Sequence, residues 1–177
     1  NKNKCITLNS KESFDLSTEK FTKKYEKENP KGKEEYIKKI LSKIKYDFEF
    51  EHEPEINLLI KLIEKSYERF NELRKKISYS TETKIILRLN QDNFVIISCN
   101  GDGYKFATSN EIESYKQFIL IETDSRLLYW ILQGPKKAHW NNAEIGSHIQ
   151  FKRIPDIYER GLMHCLNYFY SGEYTNW

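Results

Sequence analysis

Apolar residues recur at three- and four-residue steps through the first half of the chain, then gather from Lys84 onward into short runs broken by polar turns. From Lys33, the residues Tyr36, Ile37, Ile40, Leu41 and Ile44 keep a helical spacing and predict a helix with one buried stripe. Ile56, Leu59, Ile60, Ile63, Tyr67, Phe70, Leu73 and Ile77 predict a longer helix of about six turns, with Pro54 suited to its first position. Lysines and glutamates alternate around its polar face, so the stripe reads as core cover and not as a membrane-surface device. Between these helices Asp47-Phe48-Glu49-Phe50-Glu51 alternates with period two, which fits a short strand or, the favoured reading, an extended linker. Ahead of them, residues 1–31 read as a loosely packed entry segment with a short helix near 17–27, spanning Ser17-Thr18-Glu19 and Lys23-Lys24-Tyr25 and ending at the turn signal Asn29-Pro30-Lys31-Gly32.

The period changes near Ser78. Lys84 to Leu89 and Phe94 to Ser98 predict two strands joined by the polar turn Asn90-Gln91-Asp92-Asn93. Asn100-Gly101-Asp102-Gly103 makes a second turn into a strand at Tyr104 to Ala107, and a helical turn around Glu111 to Tyr115 leads to a fourth strand at Gln117 to Glu122. Asp124 is placed to cap a helix containing Leu127, Leu128, Ile131 and Leu132, which Gly134-Pro135 stops. Ile145 to Phe151 returns to the sheet, and Pro155 precedes a last helix carrying Tyr158, Leu162, Cys165, Leu166 and Phe169. The pattern predicts an α+β fold: an antiparallel sheet of about five strands covered by helices on one face. A helical segment over 1–80 precedes this 81–177 domain.

Charge changes this picture little. The 177 residues carry a net charge of +3; residues 1–80 hold 19 Lys/Arg against 15 Asp/Glu and residues 81–177 hold 10 against 11, so lysine-rich helices explain the basic balance. Basic and aromatic residues do not interleave as a nucleic-acid platform requires, and no nucleic-acid partner is predicted. No apolar run reaches the length of a membrane span. Cys5, Cys99 and Cys165 form neither a disulfide framework nor a zinc knuckle, which points to a reducing cytoplasm. A chain opening on Asn1 instead of Met is expected to belong to a longer polypeptide.

The densest chemistry lies in Ala138-His139-Trp140-Asn141-Asn142-Ala143-Glu144-Ile145-Gly146-Ser147-His148, continued by Phe151, Arg153 and Pro155. The spacing of His139, Glu144 and His148 does not give the helical pair of a metal site, so no metal ligand and no cofactor is assigned. Trp140 reads as an apolar plate with an N–H to satisfy, and Asn141 and Asn142 as holders of a loop by side-chain bonds to the backbone. Glu144 is expected to be partly buried and tied to Arg153, Lys152 or nearby backbone N–H groups. Trp140, Asn141, Asn142, Glu144, His148 and Arg153 are the candidate binding residues. No catalytic residue is assigned, although His139 and Glu144 are the one local pair on which a small hydrolase would rest. The glycines of Asn100 to Tyr104 lie between strands and lack the context of a phosphate loop. Cys165 sits on the inner stripe of its helix and reads as a core residue.

Residues 83–170, with a small antiparallel sheet, a helix of the Asp124-Ser125-Arg126-Leu127-Leu128 type and a returning strand, resemble a sterol-carrier-like domain. Leu128 to Phe169, with its core Trp140-Asn141-Asn142-Ala143-Glu144-Ile145-Gly146-Ser147-His148, also looks like the C-terminal region appended to metallo-β-lactamase-fold proteins, certain bacterial metal-dependent hydrolases or oxygenase-related proteins among them. The resemblance covers about half the chain. It implies a non-catalytic accessory module that completes a substrate pocket, grips a substrate tail or mediates assembly, with an upstream catalytic domain or a second copy as its partner. None of the four histidines stands in an HxHxDH-like run, so no catalytic residue is carried over. A second reading is an independent carrier of a lipid or small apolar molecule held between sheet and helices.

Overall fold

The computed structural model describes residues 13–22 and 29–172. The chain separates into two compact units, Asn1–Lys45 and Tyr46–Trp177. The helical segment expected over 1–80 is thereby divided, because the long helix belongs with the sheet.

In the first unit, β1 (Phe14–Asp15) and β2 (Lys20–Phe21) form a small hairpin closed by the Phe14 and Phe21 rings, 4.7 Å apart. The Asp15 carboxylate closes the turn by accepting from the Ser17 hydroxyl at 2.6 Å and the Ser17 N–H at 2.8 Å. These bonds, the hydroxyl first, pull its pKa down to about 2. The short helix expected near 17–27 is therefore a turn and a strand through Thr22, while Lys23, Lys24 and Tyr25 lie outside the described residues, as does Cys5. Asn29-Pro30 opens a helix: α1 (Pro30–Lys39) begins with the Asn29 side chain accepting from Gly32 N–H at 3.1 Å and proline at N1. The predicted helix stops at Lys39, with Leu41–Lys43 in a separate 3₁₀ turn, and its apolar positions are not buried. Tyr36, Ile37, Ile40, Leu41 and Ile44 are all exposed, because no described element of their own unit packs over them.

The second unit is an α+β sandwich. It opens with a 3₁₀ turn over Asp47–Phe50, followed by α2 (Ile56–Lys76). The favoured linker over 47–51 is overturned, since Glu49 accepts from Tyr46 N–H at 2.7 Å and Phe48 enters the core. Pro54 stands two residues ahead of α2. Five strands follow, β3 (Lys84–Arg88), β4 (Asn93–Ser98), β5 (Tyr104–Thr108), β6 (Phe118–Thr123) and β7 (Ile149–Ile154), with the short α3 (Ser109–Ile112) between β5 and β6. Between β6 and β7 come α4 (Ser125–Gln133) and α5 (Trp140–Ile145), and α6 (Arg160–Leu166) closes the unit.

Strand order is β5-β4-β3-β6-β7, and the sheet is mixed: β3 and β6 are parallel, with Ile85 opposite Ile119, and every other pairing is antiparallel. A parallel neighbour needs a crossover, and α3 with Tyr115 supplies it over one face. Alternation along each strand then serves two cores. Ile85, Leu87, Val95, Ile97, Ile119 and Ile121 meet Leu59, Ile63 and Phe70 of α2, Leu128 and Ile131 of α4 and Leu162 of α6. Ile86, Phe94, Ile96 and Phe118 face the other way, under Ile112 and Tyr115. Among the described residues, no helix is long and apolar enough to cross a membrane.

Candidate functional site

The dense segment folds into α5 and not into a loop, for a reason visible at its start. His139 has extended backbone and its Nδ1 accepts the Asn141 N–H at 3.1 Å, capping the helix as an aspartate would. An accepting Nδ1 requires the proton of the neutral ring to sit on Nε2. Burial agrees, since it holds the His139 pKa below the ordinary imidazole value. Trp140 turns inward and its Nε1–H donates to the Phe169 carbonyl at 2.9 Å, so the predicted plate with a satisfied N–H is present. Asn141 and Asn142 contribute through the backbone: Asn141 N–H completes the cap and the Asn142 carbonyl accepts from Gly146 N–H at 2.9 Å.

After α5 the chain reverses through Ser147, at φ 59°, and His148 N–H returns to the Ala143 carbonyl at 2.9 Å. The His148 ring lies against Gly146, where a Cβ would stand 2.7 Å from the imidazole Cδ2. Any side chain at 146 would unseat it. Tyr46 meets the same ring edge-on at 4.4 Å between centroids and Phe48 at 5.9 Å, while the Thr123 hydroxyl donates to the His148 carbonyl at 2.8 Å. Three contacts on the ring and one on the backbone thus fix His148.

These elements enclose a cup of about 340 Å³. Its walls include Tyr46, Phe48 and Trp130, and its polar groups are His139, Asn142, His148, Lys137 and Asp47. Lys137 Nζ lies 5.7 Å from the Trp130 ring centre, a cation held against an aromatic face. Of the six candidate binding residues, Asn142 and His148 line the cup. Asn141 is exposed in the first turn of α5, and Trp140 is structural support for the segment. Glu144 is half-buried, as anticipated, but among the described residues no hydrogen bond or ion pair ties it to Arg153, Lys152 or a backbone N–H. The physical reason is direction. Arg153 leaves β7 beside Ile119 and stacks on Phe151 and Tyr158.

Sequence reasoning missed Tyr46, Phe48, Trp130 and Lys137. The alternation of Phe48 with acidic neighbours was the available signal for one aromatic wall; the approach of Trp130 and Lys137 depends on the turn after α4 and has no local signature. Cys99 and Cys165 are both buried free thiols, and burial pushes them up to about 12 and about 11, far from the reactive thiolate range. Among the described residues, no three His, Cys, Asp or Glu side chains are grouped to hold a metal ion.

No protein-family model, curated protein or solved structure matches the chain. The chemistry must therefore be taken from the cup itself. It offers aromatic walls, an ammonium, the Asp47 carboxylate, a neutral imidazole with an Nε2–H donor, a second imidazole and an amide.

Proposed function

We propose that this chain is a non-catalytic recognition module of a larger metal-dependent enzyme, an accessory domain of the sterol-carrier-like kind placed beside a metallo-β-lactamase-fold domain in a reducing cytoplasm. The cup formed by α5 and the 46–48 segment is its contact face. One observation carries the reading: the packing that seats His148 against Gly146, Tyr46 and Phe48 places it on the same cup as the helix-capping His139 and Asn142. A preorganised polar and aromatic surface of this kind favours a flat, polar, ring-bearing group, either on a substrate or on the surface of a partner.

The carrier reading draws less support. The cavity between the sheet and α6 measures about 110 Å³, well below the ~300 Å³ at which pockets for drug-sized molecules begin, and the rest of that layer is filled by buried side chains. A hydrolase built on His139 and Glu144 draws less still, since Glu144 is outside the cup lining.

The test uses the purified chain, titrated with benzoate and with the neutral benzamide, and followed by Trp130 fluorescence and by the ring signals of His139 and His148. Saturable binding that His148→Ala and Trp130→Ala each weaken by about tenfold, on the ~1.4 kcal/mol scale of a decade in affinity, supports the assignment. Robust turnover of ester or phosphoester substrates, lost in His139→Ala, would overturn it. Acidification supplies a second check. Protonation of His139 removes the acceptor at Nδ1, and because its folded pKa lies below the unfolded value near 6.5, the unfolded chain binds the proton first. The cap's contribution is therefore present above about pH 6.5 and lost as pH falls toward the folded pKa. Binding at the cup should decline with it.

A further inference from the structure

Arg153 and Glu159 face a second cavity, of about 110 Å³, floored by Phe118, Ile119, Leu162 and Met163. The two charges line the same space yet make no ion pair with each other. Among the described residues, Arg153 has neither an ion-pair partner nor a hydrogen-bond acceptor. Its guanidinium lies against two rings instead, 5.0 Å from the Phe151 ring centre and 5.7 Å from that of Tyr158. Aromatic contact of this kind positions a guanidinium without using its N–H donors, which stay free for a carboxylate.

Glu159 is the converse case. It accepts from the Tyr79 hydroxyl at 2.8 Å and from the Thr83 hydroxyl, and Thr83 in turn accepts from Gln117 Nε2 at 2.7 Å and from the Thr81 hydroxyl at 3.2 Å. Every one of those donors is neutral. Partial burial draws the Glu159 carboxyl upward, but the Thr83 and Tyr79 hydroxyls outweigh it and keep the pKa below the ordinary carboxylate value. The group is thus a fixed anion with acceptor capacity left over. A cation and an anion, each oriented and each lacking an ionic partner, stand around one partly apolar hollow.

We propose that this cavity binds a small zwitterion of the α-amino-acid type, its carboxylate on Arg153 and its ammonium on Glu159. Size narrows the class. A space of about 110 Å³ equals three to four times the ~30 Å³ share of a water molecule, which suits glycine or alanine and excludes long side chains. A lone acetate or methylammonium ion satisfies half of the arrangement and leaves the other charge unpaired.

The full chain is titrated with L-alanine, glycine, L-leucine, acetate and methylammonium by calorimetry, and the Arg153 side-chain signals are followed by NMR. One-to-one binding of alanine and glycine is expected, with leucine and the two half-ligands weaker by about tenfold or more, one decade of affinity. Arg153→Gln abolishes the binding and leaves the melting temperature close to wild type, since the side chain is partly exposed; Glu159→Gln, which retains an acceptor for Tyr79 and Thr83, weakens it. Absence of saturable binding by both amino acids overturns the proposal. So does undiminished alanine binding by Arg153→Gln, or acetate binding as tight as alanine, which would mark a simple anion site.

Discussion

The helices α1 and α2 carry the same kind of message in their sequences and meet different fates. Both have apolar residues at helical spacing, both have lysine-rich polar faces, and both are helices. In α2 the stripe is core: Leu59, Ile63 and Phe70 are fully or almost fully buried against the sheet and against Phe169. In α1 the corresponding stripe is open, with Tyr36 51% exposed and Ile37 45%, and it stays open beyond the helix at Ile40 and Ile44. Periodicity reports which side of a helix is apolar, whereas burial requires a second layer of suitable size, and only α2 has one in its own unit. The first unit's described elements are two two-residue strands, a ten-residue helix and a 3₁₀ turn over Leu41–Lys43, too little to make such a layer.

The sharpest test of this contrast lies at Phe70, whose ring meets Phe169 edge-on at 6.0 Å and stacks with Tyr67 at 6.2 Å. Phe70→Ala should cost about 3–5 kcal/mol, the range for deleting a buried aromatic, read as a fall in the urea midpoint with little change in slope. A loss under about 1 kcal/mol would mean that α2 is no more buried than α1.

Trp140→Phe comes next. It removes the Nε1–H and leaves the buried Phe169 carbonyl without its donor, a loss of about 1–3 kcal/mol on the scale of an unsatisfied buried group. The bond joins α5 to the segment after α6 that packs on α2, so the effect should appear as faster amide exchange in both α5 and residues 166–170. Exchange that accelerates in α5 alone would show that the two are not coupled through this contact.

Much of this architecture was legible, and what was not has definite causes. The strands at 84–89 and 94–98, the Asp124 cap and the Gly134 stop were readable because each depends on neighbours within a few residues. Asp124 does accept from Arg126 N–H at 2.9 Å, and Gly134 takes φ 119° at the end of α4. The parallel pairing of β3 with β6 was hidden, since it is set by how α3 crosses the sheet and not by any pattern within either strand. In the dense segment, two of the residues singled out from sequence, Asn142 and His148, line the cup, and Glu144 lacks the partners expected for it. Glu144 and Arg153 are nine positions apart, and a reversal at Ser147 followed by an edge strand sends them to different surroundings. His139 as a helix cap was missed because imidazole is an uncommon cap, while Asn141, the more usual capping type, supplies the N–H instead.

A smaller effect is expected at Asp124, which caps α4 and also accepts from Arg126 Nη2 at 2.7 Å. Asp124→Ala should cost about 0.5–2 kcal/mol, as for other N-caps. The Arg126 side chain, ahead of its backbone N–H, holds the Asp124 pKa below the ordinary carboxylate value despite burial. The contribution is therefore complete above the unfolded pKa near 3.9 and lost as pH falls through the folded one. Wild type and Asp124→Ala should converge in stability on acidification; a difference that persists unchanged once the carboxyl is protonated in the folded chain would assign the loss to packing and not to the charged cap.

The smallest effect belongs to α1, and it bears most directly on the lesson drawn from the two helices. With Ile37 45% and Ile40 49% exposed, Ile37→Ala and Ile40→Ala remove apolar surface that already faces solvent. Alanine is also the better helix former, so each change should alter stability by less than about 0.5 kcal/mol, the usual range for an unconstrained surface position. The helix itself should answer to its cap instead: Asn29→Ala removes the acceptor for Gly32 N–H, and amide exchange over 30–39 should quicken while the exchange of β3, β4 and β6 stays at the wild-type rate. If Ile40→Ala instead costs ~2 kcal/mol or more, in the range of a buried Ile-to-Ala change, the α1 stripe is covered in solution, and the two helices differ in what covers them and not in whether they are covered.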